Sequence, residues 1–368
     1  MENMEAKNWE RLLAAAEDGT MSRRRFVAAV GAALALPLAL RSTLSFAQAK
    51  ELVLVNWGGD AMTAYAAAYG EKFTEATGVA VKMDGSGPTE GAITAQAKSG
   101  NVAWDIVDAD PFSAITLGKQ GLLQPIDYGV VDKAKTREGF GWEHAMSAYF
   151  FSYVIAYDSE LYPEAPTSMA NFFDVEKFPG SRAMYKWGVS SWEAALIADG
   201  ATAATLYPLD VEKAHAKISA FKEHVVSFWG GGAESQTAML SGEASMGIVW
   251  STRAKLIEEE SNGRIKYIWD QGLLSPGAMA VLENNPAGRE TAMAFLASMQ
   301  NPEKQLVMFE KLGQGPANPA ADALIPADQK RHNCVAPENM ARQIPLDMEW
   351  YAENYSAALD QYLAMISA

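Results

Sequence analysis

The alternation of short elements that begins at Glu51 constrains this chain more than any other feature. ELVLVNW (51–57) is an apolar, β-branched run closed by Gly58 and Gly59, and it predicts a strand. The alanine-rich AMTAYAAAYGEKFTEATG (61–78) predicts a helix stopped at Gly78. VAVKMDG continues as strand, TEGAITAQAKSG as helix, WDIVDAD (104–110) as a strand ending in acids, and FSAITLGKQG as helix. Strands alternating with helices on short glycine turns dictate a mostly parallel α/β sheet. AYFFSYVIAYD (148–158) then breaks the rhythm. It is a long extended aromatic run without a glycine, suited to crossing from one folding unit to another.

A second alternation follows the crossing. SRAMYKW reads as strand, SSWEAALIADG and DVEKAHAKISAFKEH as helices, VVSFWGG as strand, ESQTAMLSGE as helix, and MGIVW and RIKYIWD as two further strands. GAMAVLE (277–283) can return the chain to the first unit. RETAMAFLASMQ and EKQLVMFEKLG predict helices, GQGPANPAA (313–321) is turn-rich, and DMEWYAENYSAALDQYLAMIS closes the chain as an amphipathic helix. A chain of 368 residues exceeds what one core usually organises. The expected architecture is therefore α/β with two discontinuous lobes, 50–155 with 277–318 and 156–276 with 319–368. A hinge and a ligand cleft would lie between them, the geometry that closes around small molecules.

Composition excludes several functions. The net charge is −15 and no basic stripe appears, which argues against nucleic acid as a partner. Cys334 is the one cysteine, so no intrachain disulfide can form, and the four histidines lack metal-ligand spacing. No G-x-S-x-G occurs, and DGSGPTEG (84–91) lacks the Gly-Lys-Ser/Thr of a phosphate loop, so it reads as a loop on the cleft rim. No cofactor or metal is expected, and an exported hydrolase is the distant alternative.

The N-terminus reads as an address. Arg23, Arg24 and Arg25 precede an apolar run from Phe26 to Leu40, and Ala47-Gln48-Ala49 forms a small-residue cleavage site. Ser22-Arg23-Arg24-Arg25-Phe26-Val27 resembles the twin-arginine export signal of bacteria. The apolar run is shorter than the ~20 residues a membrane span needs, and it contains Pro37. Residues 1–49 are thus expected to be removed, leaving a periplasmic protein; translation from Met21 is an alternative start. Residues 1–49 carry five acids and six bases, so the remainder stands at −16.

WGG before the first helix, FTEATG, WDIVDAD, LLQPID, VIAYD, FFDVEKFPGSRAM, LSGEASMGIVW, the ANPAA turn and EWYAEN fall in a familiar order. In that order the chain resembles the periplasmic solute-binding proteins of ABC importers, and most nearly their spermidine/putrescine-type branch. The resemblance implies a two-lobed fold of type II kind, no enzymatic activity, a small-molecule solute, permease subunits as partners and a monomer. It also implies an interlobe site with aromatic rings on both sides and carboxylates that neutralise polyamines. By position, Trp57 and Trp250 match pocket aromatics, and Phe112 falls where a tyrosine is common. Asp110 falls near a pocket position, and Glu349-Trp350-Tyr351 on a polar position that reaches the cleft. Asp60 ends the first strand's loop, where it could also N-cap the helix, and Gln314 lies in the turn-rich passage.

The departures from that branch bear on the ligand. Polyamine receptors carry an acidic pair after the strand written here as SRAMYKW, whereas this chain has Lys186, Trp187 and Ser190. An acid in their return strand is replaced by Gly277. Arg253 sits just beyond Trp250, and a guanidinium fork fits a carboxylate in bidentate fashion. Its rival reading is an ion pair with Glu258, Glu259 or Glu260. Acids on one lobe and a guanidinium on the other suit a carboxylate-bearing solute, an organic acid or an amino acid of the γ-aminobutyrate kind. A polyamine is the alternative.

Overall fold

The computed structural model describes residues 49–368, so residues 1–48, where an export signal is expected, lie outside the described residues. Eight strands order the molecule: β1 (Glu51–Val55), β2 (Ala80–Asp84), β3 (Ile106–Ala109), β4 (Met146–Asp158), β5 (Arg182–Tyr185), β6 (Val225–Trp229), β7 (Met246–Trp250) and β8 (Ile265–Val281). They join one sheet in the order β2-β1-β3-β8-β4-β7-β5-β6, with two-residue strands at Gly315–Pro316 and Ile344–Pro345 pairing β4 and β8. The two ends of the sheet are parallel, β2-β1-β3 and β7-β5-β6. Between them β8 and β4 run antiparallel to each other and to their outer neighbours.

β4 and β8 are the crossing strands. Met146, Ala148 and Tyr149 of β4 belong to the core of the first lobe, whereas Val154 to Tyr157 belong to that of the second. β8 does the reverse, from Ile265 and Leu273 in the second core to Met279 and Val281 in the first. The structure thus matches the two-lobed architecture expected of the sequence. One segment differs from expectation: RIKYIWD and GAMAVLE are not two strands but the ends of the single seventeen-residue β8. Ser275-Pro276 looks like a break in sequence. In the structure one edge of β8 is unpaired at Pro276, because the β3 ladder ends at Ala278 and the Ile344–Pro345 strand stops at Leu274. A proline without an N–H is tolerated at such an edge.

The first helix forms over Asp60–Tyr65, passes through a π turn at Ala66–Gly70, and resumes over Glu71–Thr77. Gly78 ends it in the left-handed conformation at φ 77°, as its glycine stop requires. The C-terminal helix Met348–Ser367 starts on an Asp347 cap and lies against the helix Pro111–Lys119. Asp105 is a structural carboxylate: it accepts backbone N–H bonds from Val53 at 2.7 Å and Ala287 at 2.6 Å, tying β1 to the start of the helix Gly288–Met299. Asp105→Ala would leave both buried donors without a partner. It should lower unfolding free energy by about 2 kcal/mol in denaturant titration, with no direct effect on any cleft residue.

Candidate functional site

A cavity of about 420 Å³ lies between the lobes, over the middle of the sheet. Its floor comes from the crossing strands. Tyr149, Phe151 and Tyr153 alternate along β4 and so present one face, with ring centroids 6.2 Å and 5.5 Å apart in succession. Tyr185 and Trp250 extend the aromatic surface into the second lobe, at 5.7 Å from each other. Trp57 faces the cavity from the first lobe and remains 40% exposed, while Trp187 lines it from the second. Such rings bury a thin carbon chain at small entropic cost. The rim loop Gly85–Gly87 also lines the cavity.

Arg253 stands in the first turn of the helix Ser251–Glu260, which Trp250 precedes without a side-chain cap. Its neighbours settle the question of its partner. Glu258 pairs with Arg331, Glu259 with Lys255, and Glu260 accepts from Gln236, so none of the three serves Arg253. Instead Arg253 Nη1 donates to Asp60 on the opposite lobe at 2.9 Å, and to Gln236 at 3.3 Å. Asp60 is not a cap; Gly59 holds the N-cap position and Asp60 sits in the first helical turn. The other edge of the guanidinium, Nε and Nη2, has no hydrogen-bond partner among the described residues. Gly232 makes room for the side chain, since a Cβ there would overlap Nε far inside contact distance.

Two carboxylates end β3 on the same side of the strand, Asp108 and Asp110. Asp108 is 2% exposed and accepts from two phenols, Tyr149 at 2.8 Å and Tyr65 at 3.1 Å. Burial pushes its pKa up to about 7, against the lowering effect of those hydroxyls. Asp110 has no hydrogen-bond or ion-pair partner for its carboxylate among the described residues, and burial raises its pKa to about 6, with Glu90 adding to the rise. Gln314, 7% exposed, lines the same cavity with its Oε1 unpartnered. A pocket holding an unpaired carboxylate, an unpaired amide oxygen and half of a guanidinium is built to receive charge of both signs.

Of the residues nominated from sequence, Trp57, Asp110, Trp187, Trp250, Arg253, Gly277 and Gln314 line this cavity, and Asp60 joins them through Arg253. The others lie elsewhere. Lys186 is exposed, with its ammonium 5.3 Å over the Trp187 ring. Ser190 is buried at φ 70° ahead of the helix Ser191–Ala198, and its Oγ has no partner. Phe112 stacks on Tyr351 at 5.3 Å, and Tyr351 donates to the buried Glu193 at 2.7 Å, so both belong to packing beside the cleft. Sequence reasoning passed over Tyr149, Phe151, Tyr153, Tyr185 and Asp108. The period-two spacing 149, 151, 153 within AYFFSYVIAYD, and 108 to 110 within WDIVDAD, was the available signal.

A two-lobed α/β molecule with an aromatic, doubly charged cleft is a solute receptor in form. By sequence the chain belongs to the bacterial extracellular solute-binding protein family, whose profile matches residues 68–333. It is 28% identical over 316 residues to a gamma-aminobutyric acid-binding protein of Pseudomonas aeruginosa, covering 84% of this chain and 88% of that one. A solved GABA receptor is 32% identical and superposes with a TM-score of 0.79 over 86% of this chain and 97% of its own. The binding protein AgtB of Agrobacterium tumefaciens, solved in complex with agropinic acid, is 28% identical with a TM-score of 0.79, covering 88% and 100%. The chain is a substrate-binding receptor of the kind that serves ABC transporters.

Gly232→Ala should act on binding chiefly through Arg253, although Gly232 also borders the cavity. The added methyl displaces the guanidinium, so affinity for a carboxylate solute should fall about tenfold in calorimetry, on the scale of losing a charged hydrogen bond. Binding unchanged in that variant would remove Arg253 from the site.

Proposed function

We propose that this protein is an exported periplasmic receptor for a small amphoteric solute, an ω-amino acid of the γ-aminobutyrate type. It would act as a monomer without a catalytic step and deliver its solute to the permease subunits of an ABC importer. The lobes would be 50–155 with 277–318 and 156–276 with 319–368, closing about β4 and β8. One observation carries the reading: an unpartnered carboxylate, Asp110, and an unpartnered guanidinium edge, on Arg253, line one cavity from opposite lobes. Asp110 would take the ammonium, Arg253 the carboxylate, and Trp57 and Trp250 the methylenes between them. The two GABA-binding relatives and the agropinic acid complex support a ligand that carries a carboxylate. The scarcity of cations in the cleft does not by itself favour a polyamine, because Asp60 is spent on Arg253 and Asp108 on two phenols.

Calorimetry of γ-aminobutyrate, organic acids, putrescine and spermidine on the purified protein tests this directly. Micromolar or tighter binding of the amino acid is expected, weakened at least tenfold in Arg253→Ala and recovered only in part by Arg253→Lys, which lacks the fork. Tight polyamine binding that ignores Arg253→Ala would overturn the reading.

The pKa of Asp110 adds a pH dependence with a defined sign. Because its carboxyl titrates near 6 when the cleft is empty, it is ionised at pH 8 and mostly protonated at pH 5. An ammonium ligand needs the ionised form, so affinity should fall roughly tenfold between pH 8 and pH 5. Asp110→Asn should bind weakly and flatten most of that profile, leaving the contribution of Asp108. Export is tested separately. Replacing Arg23 and Arg24 by lysine should hold the precursor in the cytoplasm if the twin-arginine route is used.

A further inference from the structure

Asp108 has no part in the binding scheme above, although it lies two residues from Asp110 on the same side of the cleft. Its two oxygens are both engaged: Oδ1 accepts from Tyr149 and Oδ2 from Tyr65. Those donors come from separate parts of the first lobe, β4 and the helix Asp60–Tyr65, and both phenols are buried. Tyr149 reaches Asp108 only because of what faces it across the sheet. Tyr149 and Gly277 are direct Cα partners in the β4–β8 ladder, and a Cβ on residue 277 would overlap the Tyr149 ring. Any larger residue at 277 would therefore push the ring away from the carboxylate.

We propose that the Tyr149–Asp108 hydrogen bond, permitted by Gly277, is a selectivity element that withdraws one of two adjacent cleft carboxylates from cation binding. The inference rests on the reading of Asp110 as the ammonium site. With Asp108 occupied, the floor of the cleft offers one place for a cation. Glu234, the other acid lining the cavity, is exposed at its rim and already accepts from the Gly230 N–H at 2.5 Å. Each oxygen keeps a second lone pair, but a second ammonium would have to share a carboxylate only 2% exposed with Tyr149 and Tyr65, and displacing either phenol would leave a buried hydroxyl without its acceptor, which is costly. The arrangement thus admits solutes with one ammonium and rejects diamines of the same length. Gly277 and Tyr149 act as a pair: the glycine provides the space and the phenol fills it.

The test is a ratio of affinities, putrescine against γ-aminobutyrate, measured by calorimetry on the full mature protein. Wild-type protein should bind putrescine at least a hundredfold more weakly. Tyr149→Phe keeps the ring over Gly277 but removes the donor; because Tyr149 also floors the cavity, only the ratio is read, and it should shift toward the diamine at least tenfold. Tyr65→Phe, which frees the other oxygen, should shift it in the same direction, and stands in if the first variant unfolds. A ratio unmoved in whichever of these variants is folded overturns the proposal, as does an equal loss for both ligands. Failure of wild-type protein to bind γ-aminobutyrate would instead sink the amino-acid reading. In that case putrescine against n-butylamine supplies the ratio, and the Tyr149→Phe shift still decides the proposal.

Discussion

The pairing of β4 with β8 is the constraint on which the rest of the molecule depends, because these two antiparallel strands belong to both lobes at once. From Met146↔Met279 at one end to Asp158↔Ile265 at the other, their ladder runs through both cores. Two register shifts interrupt it, between Ser147 and Tyr149 and between Tyr153 and Ile155. The residues bracketed by these shifts, Tyr149 to Tyr153, include the three rings that floor the cavity. The ligand surface is therefore carried by the segment where pairing is least regular and where one edge of β8 is free at Pro276. A sheet that must bend between lobes needs such a place, since regular pairing on both edges would resist it.

The Arg253–Asp60 contact spans the same gap from above. Arg253 is largely enclosed, whereas Asp60 is mostly exposed to solvent, so the pair alone contributes modestly to holding the lobes together. Its consequence is geometric. With Nη1 fixed by Asp60 and Gln236, the guanidinium plane cannot turn freely, and its remaining edge keeps one orientation without a hydrogen-bond partner among the described residues. A carboxylate bound there would lie beside Asp60, and the arginine would be shared by two anions. On the proposed reading, sharing one cation in this way would link the filling of the cleft to the closing of the lobes.

Much of the fold was legible in sequence, because a period-two or helical pattern bounded by glycine leaves few alternatives. Gly78 stops its helix as read, AYFFSYVIAYD crosses the lobes, and MGIVW is β7 with Arg253 three residues past its end. β8 reads as two pieces in sequence, and it runs through as one because Pro276 lies at an edge that neither β3 nor the Ile344–Pro345 strand pairs. The site was less legible. Trp57, Trp250 and Arg253 stood out as costly residues at strand ends, and Asp110 as an acid closing a strand. Phe112 and Tyr351 fit a family position equally well, yet their side chains stack on each other beside the cleft. Whether an aromatic faces a cavity or a core depends on which side of its element the partner strand covers, and that information is long-range.

Gly277 illustrates the limit best. In sequence it registers only as the loss of an acid, which argues about ligand charge by subtraction. In the structure it is the space that lets Tyr149 lie flat across β8 and reach Asp108. The same substitution thus removes one carboxylate from the cleft and allows a phenol to occupy a second. On the proposed reading, charge selectivity would follow less from the number of acids near the ligand than from how many lack a hydrogen-bond partner. Asp60, Asp108 and Asp110 all border the cleft, but only Asp110 remains uncommitted. Against it stands one guanidinium edge, and a cleft with one free charge of each sign matches a solute that has the same.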